Sequence, residues 1–291
     1  MPELPEVQTT VNGLNIKVLK RTFIDVWSDW EKTVKKPKSF NEFKKKVKNK
    51  KILKVWRRAK NIIFDLSGEY SLLVHQKMTG HLLVGSWVSS NGFWKPNGKG
   101  PLNDPYNRFL HLIFFLDDNK MIALSDARKF AKVELWKTDD LVNSKDFKKL
   151  GPEPLEKDFT SGKLKEILKN KKGKIKQVLM DPEIIAGIGN IYASEILWQS
   201  KIHPEKSVAS LTEKELKLLY QNIKKVLSLA VKLGGESFSD YRKPDGTKGD
   251  FDSERKAYKR EGQKCSRCGT KIKRIKVAQR SAFFCPSCQK P

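Results

Sequence analysis

The chain has 291 residues and a formal net charge of +26, from 59 lysines and arginines against 33 aspartates and glutamates. Hydrophobic residues make up 38% of it, which excludes wholesale disorder, and the length favours two domains over one. So large a positive charge predicts a polyanionic partner, with nucleic acid first and a membrane surface second, although a solvated lysine-rich surface would give the same count.

Two stretches argue against a membrane or secreted protein. The apolar run from Phe109 to Leu116 contains a histidine and stops at two aspartates, well short of the roughly 20 residues that cross a bilayer. Glu3 and Glu6 stand where a signal peptide would begin its basic and apolar regions. We therefore expect a cytoplasmic protein without a membrane partner.

The first residues, MPELPE, predict the start of a helix. Pro5 fits a first helical turn, where its missing N–H costs nothing, and Glu3 and Glu6 are favoured there by the helix dipole. The apolar positions that would continue this helix are Val7, Val11, Leu14, Val18 and Leu19.

From residue 51 to residue 136 the pattern changes to short apolar stretches separated by turn signals. This predicts an antiparallel sandwich or barrel. Residues 89–107 are rich in Gly, Asn and Pro and predict a long loop, whereas lysines 44–46 and 48 predict an exposed helix face. The predicted strands are 51–58, 61–66, 71–75, 81–87, 109–116, 120–124 and 129–136, and the turn signals include Ser67-Gly68, Asn91-Gly92 and Asn97-Gly98.

The sequence LGPEPL, residues 150–155, predicts a linker, and the periodicity beyond it is helical. Thr212 and Glu215 have the spacing of a capping box, and Gly234-Gly235 would end the helix that they start. A polar loop follows at 236–254. The predicted helices are 161–171, 174–180, 191–199 and 212–233.

All four cysteines lie near the C-terminus, as Cys265-x-x-Cys268 and Cys285-x-x-Cys288. This spacing is typical of a Cys₄ zinc site, and four thiolates leave no open position, so we expect one structural zinc ion. A redox pair or unligated thiols are the alternatives. Between the pairs, basic and apolar residues alternate over 271–280, which predicts a two-stranded ribbon with a cationic face for phosphates.

Four motifs occur in order: MPELPEV at the start, LGPEPL, GIGNIYASE at 187–195 and AQRSAFFC at 278–285. With the cysteines, this combination resembles the formamidopyrimidine-DNA glycosylases of the Fpg/Nei family, from residue 2 to residue 289. The resemblance implies an α+β protein with an N-terminal helix plus β-sandwich at 1–149. A helical domain with a helix–two-turns–helix motif would occupy 150–255, and a zinc finger 256–291.

The resemblance also implies the chemistry of the N-terminus. The family removes the initiator methionine and uses the N-terminal proline as its nucleophile, which corresponds to Pro2. Glu3 resembles the general acid/base residue, and Glu6 an acid in a supporting role. Lys60, in RRAKNIIF, matches a lysine that contacts phosphate near the lesion, although Ala59 stands where glycine is common.

Three residues match those that fill the gap when a base leaves the duplex. Met78, Arg128 and Phe130 correspond to the family's methionine, arginine and phenylalanine; apolar wedges and an arginine that bonds the orphaned base suit this task. By periodicity alone, the less favoured alternative is that Met78 and Phe130 belong to the sandwich core. Gln76-Lys77 replaces a usual Leu-Gly, and Ala127 a usual proline, which leaves the stiffness of these loops open.

GIGNIYASE is not a dinucleotide motif, because Tyr192 stands at the third glycine position. We expect instead a tight turn before a helix whose amides bind a phosphate. By resemblance, Lys176, Asn190 and Arg280 are phosphate contacts. Lys259 replaces the glycine of a Tyr-Gly motif that begins at Tyr258.

The function implied by the resemblance is a bifunctional DNA glycosylase/AP lyase for oxidised purines, chiefly 8-oxoguanine and formamidopyrimidines. It would act as a monomer on damaged double-stranded DNA, in the cytoplasm with the nucleoid. One alternative is an endonuclease VIII-like enzyme for oxidised pyrimidines, although Leu4 and a 236–258 loop that fits a lesion cap favour the Fpg type. A non-catalytic DNA-binding zinc protein is the other alternative.

Overall fold

The computed structural model describes residues 1–90, 93–237 and 240–291. By their contacts these form two compact units: an N-terminal unit of Met1–Lys148 with Leu233–Asp252, and a C-terminal unit of Lys149–Lys232 with Ser253–Pro291. Within the described ranges, no helix is long and apolar enough to cross a membrane.

Helix α1 spans Leu4–Val18 and confirms the helix predicted at the N-terminus. The Glu6 carboxylate accepts a hydrogen bond from the Glu3 backbone N–H (2.7 Å), which satisfies an N–H that the helix leaves unpaired. Four of the five predicted apolar positions are buried, whereas Leu19 is the exposed residue that ends the helix.

The N-terminal unit is built around two facing sheets. After α1, its elements are β1 (Phe23–Ser28), β2 (Val34–Lys36), α2 (Phe40–Val47), β3 (Ile52–Arg58), β4 (Asn61–Leu66), β5 (Tyr70–His75), β6 (His81–Gly85), β7 (Trp87–Ser90), β8 (Phe93–Pro96), β9 (Leu110–Leu116), β10 (Met121–Ser125), β11 (Lys132–Lys137), α3 (Thr138–Asn143) and α4 (Lys145–Lys148). One sheet has the strand order β1-β9-β10-β6 and the other β2-β11-β5-β4-β3. Alternate side chains of both sheets, with those of α1 and α2, form one apolar core between them.

The sandwich predicted from the sequence is confirmed, with local differences. Strand β2 pairs with β11 in parallel, so the sheet is mixed rather than wholly antiparallel. The region predicted as a long loop contains secondary structure, because β7 pairs with β8 and two short 3₁₀ helices follow. The predicted turn at Asn91-Gly92 lies outside the described residues.

The C-terminal unit is helical and ends in a ribbon. Its elements are α5 (Ser161–Lys169), α6 (Ile175–Met180), α7 (Asn190–Ser200), α8 (Glu213–Lys232), β12 (Lys273–Val277) and β13 (Arg280–Phe284). The predicted capping box is present: the Thr212 hydroxyl accepts from the Glu215 N–H (3.2 Å), and the Glu215 carboxylate accepts from the Thr212 N–H (2.9 Å). Gly234 and Gly235, with φ of 77° and 80°, follow the end of α8 as predicted.

This grouping differs from the three-part division predicted from the sequence. Residues 233–252, hereafter the return segment, pack with the sandwich although they follow α8 in the chain. Residues 256–291 group with the helices, because Glu195 on α7 accepts backbone hydrogen bonds from Lys256, Ala257 and Tyr258 (2.7–3.0 Å). Sequence periodicity carries no information on such long-range contacts.

Candidate functional site

The N-terminal turn is buried and tightly held. Pro2, Glu3 and Glu6 are all buried in front of or within the first turn of α1. One oxygen of the Glu6 carboxylate accepts from the Glu3 N–H, and the other accepts from the Glu236 N–H (2.8 Å). Glu6 therefore links Glu3, the residue after Pro2, to the return segment. This contact is a structural basis for the supporting role predicted for Glu6.

The return segment approaches this turn closely. The Tyr241 hydroxyl donates to the backbone carbonyl of Glu6 (3.0 Å). A Cβ on Gly235, whose φ is +80°, would lie 2.8 Å from the Glu6 carboxylate, so a side chain there would meet both backbone strain and a clash. Glycine at this position permits the hydrogen bond between Glu236 and Glu6.

A cationic cluster lies at one end of the five-stranded sheet. Lys60 is in the two-residue turn between β3 and β4, and the next residue, Asn61, pairs with His75 at the end of β5. His75 also pairs with Lys132 on β11. Together, Lys60, Lys132 and the nearby Lys77 form a basic patch around one histidine.

His75 stays neutral within this patch. Burial, aided by the charges of Lys77 and Lys60, lowers the pKa of His75 to about 3. The ring Nδ1 accepts a hydrogen bond from the Lys77 N–H (3.0 Å), so the single ring proton resides on Nε2, which can donate to an anion. Sequence reasoning missed this residue; its place at the end of an apolar strand, three residues before Met78, was the available signal.

Met78, Arg128 and Phe130 lie on two loops of the sandwich, β5–β6 and β10–β11. Met78 is 40% exposed and Phe130 52% exposed, so the alternative that they belong to the core is wrong. The Arg128 guanidinium lies over the Phe130 ring, 4.6 Å from its centroid. Two exposed apolar side chains with a cation beside them are suited to insertion into a base stack.

A buried carboxylate joins these two loops. Asp126 is buried and accepts hydrogen bonds from the Thr79 hydroxyl, the Ala131 N–H (2.7 Å) and the Arg128 N–H (3.3 Å). The Arg128 N–H is also 3.1 Å from the Thr79 hydroxyl oxygen. The loop of Met78 is thus bonded directly to the loop of Arg128 and Phe130, which supplies rigidity where the sequence lacks the usual glycine and proline.

The three sites where glycine is replaced keep a left-handed backbone. The φ angles are 52° at Ala59, 53° at Lys77 and 55° at Lys259. A non-glycine residue in this region costs roughly 1–2 kcal/mol. The substitutions therefore leave the local turns in the conformation that glycine favours, at some cost in stability.

In the C-terminal unit, a tight turn precedes α7. Gly187 has a φ of 85°, Gly189 is the N-cap, and Asn190 is the first helical residue. This geometry agrees with the predicted anion-binding turn. The Ser194 hydroxyl donates to the Asn190 carbonyl (2.9 Å), which ties the first turn to the next.

Lys176 is only 1% exposed. Its ammonium donates to the Ser194 hydroxyl (2.8 Å) and to the Ser281 carbonyl (3.1 Å). The predicted phosphate contact remains a prediction, but these partners make Lys176 a bridge between α7, which begins at Asn190, and β13, which begins at Arg280.

Arg280 is exposed at the tip of the β12–β13 ribbon. Ala278 and Gln279 form the two-residue turn before it, with φ of 45° and 62°. The exposed cations of β12, Lys273, Arg274 and Lys276, lie on the same ribbon. The two-stranded ribbon predicted from the alternating sequence is present.

The four cysteines converge at the base of this ribbon. All four Sγ atoms lie within 4.8 Å of one another, and Cys268 Sγ is 3.4 Å from those of Cys285 and Cys288. Tetrahedral zinc with Zn–S bonds of about 2.3 Å needs sulfurs about 3.8 Å apart, so this set fits. Gln289 braces the site by accepting from the Cys285 N–H (2.8 Å) and donating to the Ile202 carbonyl (2.9 Å).

A proline-led helix on a β-sandwich, a helical unit with an anion-binding turn and a Cys₄ ribbon together define a class of DNA-repair proteins. Three family models match in order: the formamidopyrimidine-DNA glycosylase N-terminal domain at residues 1–133, its H2TH domain at 150–242, and the zinc finger found in FPG and IleRS at 262–291. The chain belongs to the formamidopyrimidine-DNA glycosylase family, and it holds one structural zinc ion on its four cysteines.

Curated relatives match along the whole chain. It is 39% identical over 289 residues to the formamidopyrimidine-DNA glycosylase of Ligilactobacillus salivarius, with 99% of each chain covered. The corresponding protein of Pediococcus pentosaceus is 38% identical over 289 residues, with the same coverage.

Solved structures also match along the whole chain. The Lactococcus lactis FPG (MutM) in complex with a Fapy-dG containing DNA has a TM-score of 0.85 and 34% identity, covering 99% of this chain and all of that one. MutM in complex with carbocyclic 8-oxo-G containing DNA has a TM-score of 0.85 and 34% identity, with both chains covered completely.

Proposed function

We propose that this protein is a bifunctional DNA glycosylase/AP lyase that removes oxidised purines from duplex DNA through a Schiff base on Pro2. The observation that carries the proposal is the buried N-terminal turn, in which Glu6 accepts from the Glu3 N–H at 2.7 Å and so holds Pro2 in front of α1. A nucleophile needs such a fixed position.

The mechanism requires removal of Met1, because the nitrogen of Pro2 is an amide until that peptide bond is cut. An α-amine has an ordinary pKa of about 7.7–8.0, far below the value of about 10.4 for lysine, so more of it is unprotonated at neutral pH. Its lone pair attacks the sugar C1′. The bond from C1′ to the base breaks, and the base leaves with the electron pair and a proton.

The nitrogen, now bonded to C1′, gives up its N–H proton, and the C1′–O4′ ring bond breaks while O4′ takes up a proton. The resulting iminium has no N–H proton to lose, so it stays cationic and withdraws electrons from the sugar. Loss of a C2′ proton expels the 3′-phosphate oxygen, and a second elimination expels the 5′-phosphate oxygen. Glu3, the residue after Pro2, is the group that moves protons in these steps. Water then releases the sugar fragment, and the DNA keeps phosphate at both ends of the gap.

The exposed loops of the N-terminal unit prepare the substrate. Met78 and Phe130 fill the space left by the extruded base, and Arg128 bonds its former partner. Lys60 and the Nε2–H of His75 bind phosphate beside the lesion. The exposures of Met78 and Phe130 and the neutral ring of His75 support these roles.

The C-terminal unit binds the DNA backbone through the turn at Asn190 and through Arg280 on the zinc ribbon. Lys176 acts through its bonds to Ser194 and Ser281, which set the spacing of these two elements. Both solved relatives named above are complexes with lesion-containing DNA, which supports damaged duplex DNA as the partner. We propose that one copy of the chain acts alone on it.

Oxidised purines are favoured as substrates because those two complexes contain Fapy-dG and carbocyclic 8-oxo-G. The endonuclease VIII-like alternative, for oxidised pyrimidines, finds no such support. A cleavage assay on duplexes with 8-oxoguanine opposite C, 8-oxoguanine opposite A and thymine glycol separates the two, and a non-catalytic DNA-binding protein would cut none of them.

Borohydride trapping tests the nucleophile. The mature protein, with Met1 loss checked by mass spectrometry, should form a covalent adduct with an 8-oxoguanine duplex. Pro2→Gly should weaken trapping and cutting at least tenfold, whereas Lys214→Ala, a change at an exposed lysine of α8, should leave both unchanged. Unchanged trapping by Pro2→Gly would refute the assignment.

A further inference from the structure

We infer that Arg242 is a positioning residue: the ion pair of its buried guanidinium with the half-buried Asp104 holds the return segment against the N-terminal turn, where the segment meets the base of the substrate. The inference rests on the proposed function and adds to it a specific anchor for the recognition of the base.

Arg242 is the largest of the fully buried side chains in the described part of the chain, with 1% of its surface exposed. Its Nε lies 3.0 Å from Oδ2 of Asp104, and its guanidinium lies over the Tyr106 ring, 4.6 Å from the centroid. Its Nη1 donates to the Tyr241 carbonyl (2.8 Å). A buried arginine with a carboxylate, an aromatic face and a carbonyl around it is held in one conformation.

Asp104, the other partner, is half-buried and has a second hydrogen-bond donor. The Asp104 carboxylate accepts from the Tyr106 N–H (3.0 Å) and so caps the short 3₁₀ helix Pro105–Arg108. Although burial acts to raise it, the pKa of Asp104 lies below its usual value because of the Arg242 guanidinium and the Tyr106 N–H. The carboxylate is thus charged at neutral pH, and the pair keeps its Coulomb attraction.

Further bonds hold residues 242–246 against residues 101–108 and against strand β6. The Asn107 amide donates to the Gly246 carbonyl (3.3 Å), and the Val84 N–H donates to the Pro244 carbonyl (2.7 Å). A Cβ on Gly246 would lie 2.8 Å from backbone atoms of Pro101 and Leu102, so the backbones are in close contact there. Residues 101–108 therefore form a seat for residues 242–246.

The seat acts on the N-terminal turn through Tyr241. Its carbonyl accepts from Arg242, and its hydroxyl donates to the Glu6 carbonyl (3.0 Å). The return segment also reaches Glu6 through the Glu236 N–H (2.8 Å). Release of Arg242 would free Tyr241 to move away from α1, and with it the part of the return segment that contacts Glu6 in the first turn of α1.

Excision of a base should depend on the position of the return segment, whereas cleavage at an abasic sugar should not. A nucleotide whose C1′ lies at Pro2 carries its base beside the return segment, so displacement of the segment by about 1 Å is enough to lower base excision on the order of a hundredfold. An abasic sugar has nothing to place there. Arg242 should therefore matter for excision of a base and hardly at all for cleavage at a preformed abasic site.

The test compares Arg242→Ser and Asp104→Asn with the wild type. Single-turnover rates are measured at saturating protein on a duplex with 8-oxoguanine and on one with a preformed abasic site, together with hydrogen exchange of residues 240–247. We expect base excision to fall at least tenfold, abasic cleavage to stay within twofold, and exchange at 240–247 to rise. Arg242→Lys keeps the charge but loses the planar guanidinium, so its rate of base excision should lie between those of the wild type and Arg242→Ser.

Arg21→Ala is the matched control, because Arg21 forms an exposed ion pair with Asp118 (3.2 Å) on the same unit. It should change neither rate nor the exchange of residues 240–247. Equal losses on both duplexes, or unchanged exchange in Asp104→Asn, would overturn the inference. If the wild type cuts neither duplex, the proposed function is refuted instead. Hydrogen exchange of residues 240–247 in the variants then still decides whether the ion pair holds the return segment.

Discussion

The Thr79 hydroxyl donates a hydrogen bond to the buried carboxylate of Asp126, across the two loops that carry Met78 and Arg128. This bond joins loops that are 47 positions apart in the chain. Its consequence is that the three exposed side chains proposed to enter the DNA are held as one unit.

Thr79→Val removes the hydroxyl with little change in volume. We expect a loss of about 1–3 kcal/mol in stability, because Asp126 is left with one donor fewer. At saturating substrate, excision of 8-oxoguanine should slow, and discrimination between the bases opposite it should weaken, since Arg128 loses an anchor. Thr138→Val, which removes a hydroxyl bonded to Ser71 (3.1 Å) elsewhere in the sandwich, is the control. If both variants slowed excision equally, the effect would be one of general stability.

Lys77→Gly should stabilise the protein by about 0.5–1 kcal/mol in urea unfolding. Lys77 has a φ of 53°, a region that glycine enters without the strain of a side chain. The opposite sign is expected for Lys45→Gly in the exposed face of α2, which should destabilise by about 1 kcal/mol. A loss of stability in Lys77→Gly would mean that its side chain contributes more than the strain costs.

Arg280→Ala should lower the dependence of DNA affinity on salt. Each phosphate contact releases condensed counterions, so the slope of log K against log salt should shrink by about 0.9 when one contact is lost. The slope is obtained from DNA affinities measured between roughly 50 and 200 mM salt. Lys214→Ala, at an exposed lysine of α8, should leave the slope unchanged.

Removal of zinc should unfold the ribbon and abolish DNA binding. Structural zinc contributes about 10–16 kcal/mol to folding in small zinc fingers, and Cys265 and Cys285 are also part of the apolar cluster around Trp198. Chelation should raise hydrogen exchange across residues 256–291 while the sandwich stays protected. A chelated protein that binds DNA normally would contradict this, as would native mass spectra without one zinc ion.

Acid should destabilise the protein through His81. Burial lowers the pKa of His81 to about 4, whereas an unfolded histidine titrates near its usual value of 6.5. As the pH falls from about 6.5 towards 4, only the unfolded chain binds a proton at this histidine, so the free energy of unfolding decreases. The decrease that His81 can cause is at most about 3 kcal/mol. His81→Gln, which can still donate to Asn107, should flatten the fall in stability over this range. An equally steep fall in the variant would contradict it.

Much of the architecture could be predicted from the chain itself. The capping box at Thr212, the helix at Leu4, the central strands and the ribbon follow from short-range patterns, since they depend on neighbours a few positions away. The prediction was incomplete at residues 89–107, where β7 and β8 pair, because Gly-, Asn- and Pro-rich stretches obscure short strands. It did not anticipate the parallel pairing of β2 with β11, which depends on residues about 100 positions apart.

For the candidate site, too, some features could be predicted from the sequence and others required the tertiary structure. Sequence by itself determined which residue types were available: a proline behind the start methionine, four cysteines with zinc spacing, and motifs that resemble one family. Only the tertiary structure decided that Met78 and Phe130 are exposed, that Lys176 is buried and bridges two elements, and that Asp126 and Arg242 hold loops in place. The reason is physical: exposure, and the partner of a buried charge, depend on chain segments that meet only when the protein folds.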